Sequence, residues 1–162
     1  MKLLRLSWDG TAKLCERLAS SVSASGFRPG VIVGISRGGL VPARLLSDIL
    51  GISGLYVIRV SFYTGVGRAA AAPEILQPLP SRLGGKRVLL VDDVSDTGKS
   101  LAVAKRHVQE MGAAEVRVAT LHFKPRSEFR PDFFVEETDA WIVYPWERHE
   151  AAKELGKKVS EL

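Results

Sequence analysis

Two adjacent carboxylates follow an apolar segment in the middle of the chain. Residues 88–91 form an unbroken run of Val and Leu, which is typical of a strand covered on both faces in a parallel sheet. Asp92 and Asp93 follow directly, at the carboxyl end of this predicted strand, where ligands bind in such sheets. Buried charge without a partner is unfavourable, so we expect a polar ligand here. The hydroxyls of a sugar diol suit the two carboxylates.

The residues after these acids can hold a phosphate. They carry hydroxyls, one glycine and one lysine, and they lead into an apolar series at helical spacing that starts at Leu101. Free backbone N–H groups at the start of a helix, together with the positive end of its dipole, bind anions. We therefore predict a phosphate site formed by Ser95, Thr97, Gly98, Lys99 and Ser100.

Two other interpretations fit part of this segment. One is a strand, a turn capped by Asp96 or Thr97, and a helix, with no ligand. The other is a Walker nucleotide loop, because residues 98–100 match the end of that motif. The Walker loop also needs a glycine five residues before Gly98, where this chain has Asp93. Since that carboxylate would repel phosphates, the sequence does not favour a Walker loop.

A second loop with anion-binding character follows an earlier apolar segment. Residues 31–35 form a short, branched apolar run, and a predicted helix starts after Gly39. Ser36, Arg37 and Gly38 lie between them. In such a loop the backbone can approach an anion closely, and a guanidinium can bind it through two hydrogen bonds. Taken alone, the loop also fits an ordinary turn with a surface arginine.

Two further groups suit the recognition of a planar base. Lys124 follows a predicted strand at 115–121, so its ammonium lies at a strand's carboxyl edge and can donate to a carbonyl. From position alone, an ordinary exposed lysine is the simpler interpretation. Residues 141–147 are rich in aromatics, and Pro145 and Glu147 interrupt any buried pattern. A tryptophan face in this segment can stack on a base, although two tryptophans can also fill a core.

These groups need a framework of alternating strands and helices. The periodicity predicts a helix over residues 9–25, strands over 55–61 and 132–135, and a terminal helix over 150–162. Residues 62–83 contain glycine, alanine and three prolines, which predicts a loop of about 20 residues that is functional or disordered. The alternation predicts an α/β fold with a mostly parallel sheet flanked by helices.

The central segment resembles a known family motif. Its apolar strand, paired acids and D-T-G-x-S turn resemble the 5-phosphoribosyl-1-pyrophosphate (PRPP) motif of type I phosphoribosyltransferases. The S-R-G-G loop resembles the pyrophosphate loop of the same family. Lys124-Pro125 and the W-I-x-x-P-W-(D/E) pattern at 141–147 are similar to the base sites of xanthine-guanine and hypoxanthine phosphoribosyltransferases. The resemblance covers about residues 31–147.

The resemblance implies a role for each segment. It gives the ribose 2- and 3-hydroxyls to Asp92 and Asp93, and the 5-phosphate to residues 95–100. It gives the leaving pyrophosphate to Ser36, Arg37, Gly38 and Gly39. It also implies a mobile flap over about residues 62–83, which Ser61-Phe62-Tyr63 would begin, and a small C-terminal hood over 124–150. Flap closure would exclude water from a cationic sugar-like transition state.

The base and the metal are assigned through the same resemblance. Lys124 would face the purine 6-oxo group, Trp141 would stack on the ring, and the Ile142 backbone would meet its edge. Magnesium, a hard cation that takes oxygen ligands, would bridge the pyrophosphate and the ribose hydroxyls. Asp93 and Glu147 are its expected protein ligands.

The implied reaction is displacement of pyrophosphate from PRPP by a purine ring nitrogen. Asp96 is the expected proton acceptor, and a capping role is the alternative. We expect a 6-oxopurine base, with hypoxanthine and guanine preferred over xanthine because Val143 replaces an acid of the xanthine-guanine pattern. An adenine or uracil phosphoribosyltransferase, or a non-catalytic regulator that senses PRPP or a nucleotide, is the alternative function.

Composition fits these expectations. The 162 residues suit a single domain spanning 1–162, and the net charge of +5 with a pI near 9.6 suits an anionic small substrate. Lys and Arg are spread along the chain without a basic helix, which does not favour nucleic acid. The single cysteine, Cys15, excludes an internal disulfide, and three scattered histidines give no zinc pattern.

Location, assembly and source can be bounded in the same way. The sequence has no secretory signal and no apolar run of about 18 residues, so we expect a cytoplasmic protein without a membrane partner. The resemblance implies a homodimer or homotetramer. The chain has no asparagine and two glutamines, a depletion of heat-labile residues reported for hyperthermophile proteins. A GC-rich genome predicts the same bias.

Overall fold

The computed structural model describes residues 1–63 and 72–162. In chain order the strands and helices are β1 (Leu3–Arg5), α1 (Trp8–Ala24), β2 (Val31–Ser36), α2 (Leu40–Leu50), β3 (Leu55–Tyr63), β4 (Ala72–Gln77), β5 (Arg87–Ser95), α3 (Lys99–Glu110), β6 (Glu115–Phe123), β7 (Phe133–Glu137), β8 (Trp141–Val143) and α4 (Arg148–Glu154). A short 3-10 helix, Val159–Glu161, follows α4. Strands and helices alternate from β1 to β3 and again from β5 to β6, and additional strands follow β3 and β6 without an intervening helix.

Six strands form the main sheet in the order β4-β3-β2-β5-β6-β7. Every neighbouring pair from β3 to β7 is parallel, and only β4 is antiparallel to its neighbour. The predicted α/β fold with a mostly parallel sheet is thereby confirmed. Because β2 and β5 are adjacent and parallel, the two loops that follow them leave the sheet side by side.

Both faces of this sheet are covered by helices, which explains the continuous apolar runs of its strands. Along β2 the side chains alternate, so that Ile32 packs with α1 and α2 while Val33 packs with α3. Leu18 and Leu46 are fully buried on the first face, and Ala104 is fully buried on the second. No helix within residues 1–63 and 72–162 is long and apolar enough to cross a membrane.

A second, two-stranded parallel sheet joins the two ends of the chain. β1 pairs with β8, with Leu3 opposite Trp141 and Arg5 opposite Val143. The predicted hood over residues 124–150 did not include β1, because a strand of three residues is too short to show alternation. β7, which falls inside the predicted hood, pairs with β6 in the main sheet. Unlike the predicted hood, the small sheet therefore includes β1, and β7 belongs to the main sheet.

The predicted loop over residues 62–83 is wrong in part. β3 continues to Tyr63, and β4 pairs with it antiparallel, with Phe62 opposite Pro73. A proline is tolerated here because β4 is an edge strand of the sheet. After β4, Leu79 and Leu83 are buried in the core face that α3 covers. The rest of the predicted flap, residues 64–71, lies outside the described residues.

Candidate active site

One cavity of about 800 Å³ lies over the carboxyl ends of β2, β5 and β6. Its wall combines the loop after β2, the acids and turn after β5, the residues after β6, and the β1–β8 sheet. The sequence motifs that were separated along the chain therefore border a single space. Lining residues include Ser36, Gly38, Asp92, Asp93, Asp96, Lys124, Trp141 and Glu147.

The paired acids at the end of β5 are held by local hydrogen bonds. The Asp93 backbone N–H donates to Asp92 Oδ1 over 2.9 Å, and the Val94 N–H donates to Asp93 Oδ1 over 2.8 Å. Burial raises the pKa of Asp92 well above its ordinary value, and the neighbouring Asp93 charge raises it further. Burial also raises the pKa of Asp93, which is 8 % exposed. These carboxylates need a polar or cationic partner to remain ionised.

The loop after β2 closes directly onto the second acid. A Cβ atom at Gly38 would lie 2.7 Å from Asp93 Oδ1 and 2.6 Å from its Cγ, so a side chain here would displace the carboxylate. A Cβ atom at Gly39 would lie 2.7 Å from the Ile35 carbonyl oxygen. Gly38 thus allows the backbone of the β2 loop to approach the Asp93 carboxylate, and Gly39 allows it to pack against the backbone of β2 and β5. Ser36 and Gly38 line the cavity.

The arginine of this loop is already paired with a carboxylate. Arg37 donates through Nη1 to Glu150 Oε1 over 2.7 Å and through Nη2 to Glu150 Oε2 over 3.1 Å. Glu150 lies in α4 and lines the cavity together with Glu154. Both partners of the pair are more than half exposed. An anion that approaches the loop therefore meets a guanidinium occupied by Glu150.

The turn after β5 has the conformation that its glycine permits. Gly98 has φ of +86°, and a Cβ atom there would lie 2.5 Å from the Phe129 nitrogen. Thr97, Gly98 and Ser100 line the cavity at the start of α3. Lys99 is exposed and is not among the lining residues. The lysine predicted for the phosphate therefore does not line the cavity in this structure.

Ser95 uses its hydroxyl within the protein. Its Oγ donates to the Phe129 carbonyl oxygen over 2.7 Å and lies 2.8 Å from Ser127 Oγ. The residue lines the cavity but is 1 % exposed. Because the hydroxyl anchors the loop that follows β6, it stabilises the turn rather than adding a free donor to it.

Asp96 faces a basic residue that the sequence did not single out. Arg126 donates from Nε to Asp96 Oδ1 over 3.1 Å and also from Nη2 to the same oxygen. Both side chains line the cavity and are about half exposed or more. Arg126 stands two residues after Lys124, so a second basic residue beside the predicted base lysine was the available signal.

The residues predicted for the base, Lys124, Trp141 and Ile142, all line the cavity. Lys124 is 7 % exposed, and its ammonium donates to the Ala140 carbonyl oxygen. Burial lowers its pKa, and the Asp96 charge opposes this effect. Trp141 is 40 % exposed and Ile142 is buried. An ammonium has three N–H donors, so Lys124 keeps two for a ligand.

Val143 does not share this wall. It is 1 % exposed, pairs with Arg5 in the β1–β8 sheet, and is not among the lining residues. The predicted order of oxopurines, which was argued from Val143, therefore stays a prediction.

The predicted metal ligands border the same part of the cavity. Burial, with the nearby Asp93 charge next, raises the pKa of Glu147 to about 7. A carboxylate whose proton affinity is raised by a neighbouring carboxylate lies in a site with uncompensated negative charge, which fits a hard divalent cation. Among the described residues, no group of three or more His, Cys, Asp or Glu side chains has metal-binding geometry. A cation here would take its other ligands from water or substrate oxygens.

Comparison with known proteins places the chain in a family. Residues 6–152 match the phosphoribosyl transferase domain, and the protein belongs to this family. It is 30 % identical to xanthine-guanine phosphoribosyltransferase of Gluconobacter oxydans (strain 621H) over 144 residues, which cover 88 % of this chain and 83 % of the relative. The family resemblance inferred from the motifs is thus confirmed.

Solved structures agree with this assignment. A purine phosphoribosyltransferase from Pyrococcus horikoshii Ot3 is 42 % identical with a TM-score of 0.81, covering 90 % of this chain and 94 % of that one. A protein from Neisseria gonorrhoeae with bound ppGpp is 27 % identical with a TM-score of 0.80, covering 97 % of this chain and 99 % of that one.

The close backbone packing around Gly39 predicts that an added methyl group at this position lowers stability. Gly39→Ala should lower the free energy of unfolding by about 1–3 kcal/mol, because the new Cβ meets backbone that cannot yield cheaply. Gly30→Ala is the matched control, since its Cβ would lie 4.0 Å from the nearest atom, the Arg87 carbonyl oxygen. Urea unfolding of both variants measures the difference. Equal stabilities would contradict the close approach.

Proposed function

We propose that the protein transfers the 5-phosphoribosyl group of PRPP to a ring nitrogen of a 6-oxopurine, giving a purine nucleoside monophosphate and pyrophosphate. The observation that carries this proposal is the single cavity bordered by two glycine loops, a pair of buried acids, and a base-sized wall with Lys124 and Trp141. Membership of the phosphoribosyl transferase family and the similarity to purine enzymes support it. The activity corresponds to purine salvage.

The alternative functions receive less support. The two similar proteins above whose names give a substrate are a xanthine-guanine and a purine phosphoribosyltransferase, which does not favour an enzyme for uracil. A non-catalytic sensor would not need a buried ammonium beside an aromatic face, and this chain has both in Lys124 and Trp141.

The sugar and its phosphate are assigned to the end of β5. Asp92 and Asp93 would accept hydrogen bonds from the ribose hydroxyls, which relieves the burial of their charges. The 5-phosphate would bind the backbone N–H groups at the start of α3, where the helix dipole favours an anion. The proposed phosphate site consists of Ser95, Thr97, Gly98, Lys99 and Ser100; all but Lys99 line the cavity, and Lys99 would contribute its backbone N–H at the start of α3.

Asp93 and Glu147 would hold a magnesium ion. When bound, the ion would supply positive charge that stabilises the leaving pyrophosphate. Glu147 supports this assignment, because its pKa of about 7 leaves a carboxylate that an added cation would keep ionised. The pyrophosphate itself is assigned to the loop of Ser36, Arg37, Gly38 and Gly39.

The reaction requires a proton to leave the base. As the bond between the ring nitrogen and ribose C1 forms, the bond from C1 to pyrophosphate breaks, and Asp96 would accept the ring N–H proton. The Arg126 guanidinium holds one Asp96 oxygen and leaves the other for this role. Lys124 would donate to the 6-oxo group while Trp141 covers the ring. Positioning and charge stabilisation account for the rest.

Assembly and location stay predictions. A homodimer or homotetramer would cover apolar side chains of α2 and the β3–β4 hairpin that are 40 % to 59 % exposed, namely Leu40, Ile49, Phe62 and Leu76. A cytoplasmic location is expected from the sequence.

The first experiment measures base choice. With PRPP and magnesium, kcat/KM should be higher for hypoxanthine and guanine than for xanthine, and lowest for adenine. Lys124→Ala should lower kcat/KM for the 6-oxopurines by roughly ten- to a hundredfold, because the 6-oxo group loses its donor. Lys2→Ala, which removes another cation from the cavity wall, is the control. Adenine as the best substrate would contradict the base site, and turnover unaffected by chelation would contradict the metal.

The proton acceptor can be tested separately. Asp96→Asn keeps the shape of the side chain but removes its charge, so kcat should fall by roughly a hundredfold or more with little change in PRPP affinity. Asp139→Asn is the control, since Asp139 also lines the cavity. Turnover at the wild-type rate, or loss of PRPP binding alone, would instead support a structural role for Asp96.

The Arg37–Glu150 pair leads to a further prediction about pyrophosphate. If Arg37 binds pyrophosphate, the anion must displace Glu150 from both guanidinium contacts. Glu150→Gln should therefore raise pyrophosphate affinity by about two- to tenfold, which is modest because the pair is solvent-exposed. Calorimetry with magnesium pyrophosphate measures the change, and Glu154→Gln is the control. Identical pyrophosphate affinities in the wild type and Glu150→Gln would contradict the proposal that Arg37 binds pyrophosphate.

A further inference from the structure

A buried polar chain joins the end of β6 to the end of β5, and its central residue, Tyr144, borders the cavity. The Tyr144 hydroxyl lies 3.0 Å from the Asp93 carbonyl oxygen and 2.8 Å from His122 Nδ1. His122 is fully buried and Tyr144 is 1 % exposed. The hydroxyl donates to the carbonyl, since a carbonyl only accepts. The roles assigned to Lys124, Trp141 and Glu147 do not use this chain.

The direction of these hydrogen bonds determines which ring nitrogen of His122 carries the proton. Tyr144 has one hydroxyl proton and gives it to Asp93, so His122 Nδ1–H must donate to the hydroxyl oxygen. Burial lowers the pKa of His122 to about 4, which agrees with a neutral ring. Its Nε2 then carries the lone pair, and it has no hydrogen-bond partner among the described residues. Glu136 Oε2 lies 3.6 Å away, and its other oxygen accepts from Arg17.

The tyrosine ring links the chain to the indole beside the acids. Tyr144 stacks on Trp146 with centroids 4.8 Å apart and an angle of 6° between planes. The Trp146 Nε1 atom is buried without a partner among the described residues, and its N–H lies near enough to the Asp93 carboxylate to oppose the rise in that pKa. Asp93 is therefore held from three sides, by the Val94 N–H, the Gly38 backbone and Tyr144.

We propose that Tyr144, oriented by the Nδ1–H of His122, is a positioning residue that fixes Asp93 for contact with the ribose of PRPP. Fixing the carbonyl limits rotation of the Asp93 backbone, and the carboxylate direction follows from it. This inference rests on the proposed function, because it needs Asp93 to meet the sugar. Loss of a purely structural contact would weaken the binding of PRPP and of the base alike. Loss of the proposed positioning contact would weaken the binding of PRPP alone.

Tyr144→Phe tests the proposal with the ring and its stacking intact. The KM for PRPP should rise by roughly five- to thirtyfold, as expected for one lost hydrogen bond at a buried carbonyl. The KM for the base and kcat should stay within about twofold of the wild-type values. Tyr56→Phe is the matched control, since Tyr56 lies in β3 and packs against the other core face. It should leave the KM for PRPP unchanged.

If Tyr144→Phe does not fold, two variants at His122 test the same proposal. His122→Asn can place an N–H donor near the Nδ1 position, whereas His122→Leu removes it. We expect a near-normal KM for PRPP in the first and a raised KM in the second. An unchanged KM in Tyr144→Phe or His122→Leu, or equal changes for PRPP and the base, would overturn the positioning role alone. A wild-type protein that binds no PRPP would overturn the proposed function as well.

Discussion

The site depends on the approach of the β2 loop to the acids at the end of β5. Parallel pairing of these strands brings their carboxyl ends side by side, but pairing alone leaves room for side chains between the loops. Gly38 lets the loop backbone approach the Asp93 carboxylate closely, and Gly39 lets the same loop pack against the backbone of β2 and β5. The β2 loop, which is proposed to bind an anion, and Asp93, which is proposed to bind a sugar, are therefore neighbours in the cavity wall. One phosphorylated sugar could contact both.

The charged groups that border the cavity influence one another's ionisation. Burial raises the pKa of Asp92 and Asp93, and the added charge of Asp93 helps to raise that of Glu147 to about 7. Carboxylates so placed repel an anionic substrate unless a cation accompanies it. The positive groups Lys124 and Arg126 also border the cavity, and each is bound to an oxygen of the protein. Charges of both signs therefore surround the cavity, and an anionic ligand that binds either cation must compete with these internal contacts.

Most of the fold and the main loops could be predicted from the sequence because their signals are local. A strand, a short polar loop and a helix follow each other within about 20 residues at both β2 and β5, so the residues that meet the ligand lie next to the element that positions them. Lys124 was placed correctly at a strand's end for the same reason. The hairpin of β3 and β4 was missed because Pro73 breaks the strand pattern on an edge that tolerates it.

What the sequence did not indicate are contacts between distant residues. Arg37 and Glu150 are 113 positions apart, and Tyr144 and Asp93 are 51 positions apart, so no local pattern links them. Tyr144 also sits in an aromatic run that was interpreted through stacking on a base. In the structure its hydroxyl instead donates to the Asp93 carbonyl oxygen, and Trp141, three residues earlier, lies on the cavity wall. One short segment after β7 therefore contacts both the proposed base wall and the proposed ribose acid. A shift of this segment would change both at once, which makes its attachment to β1 a condition for the geometry of the whole site.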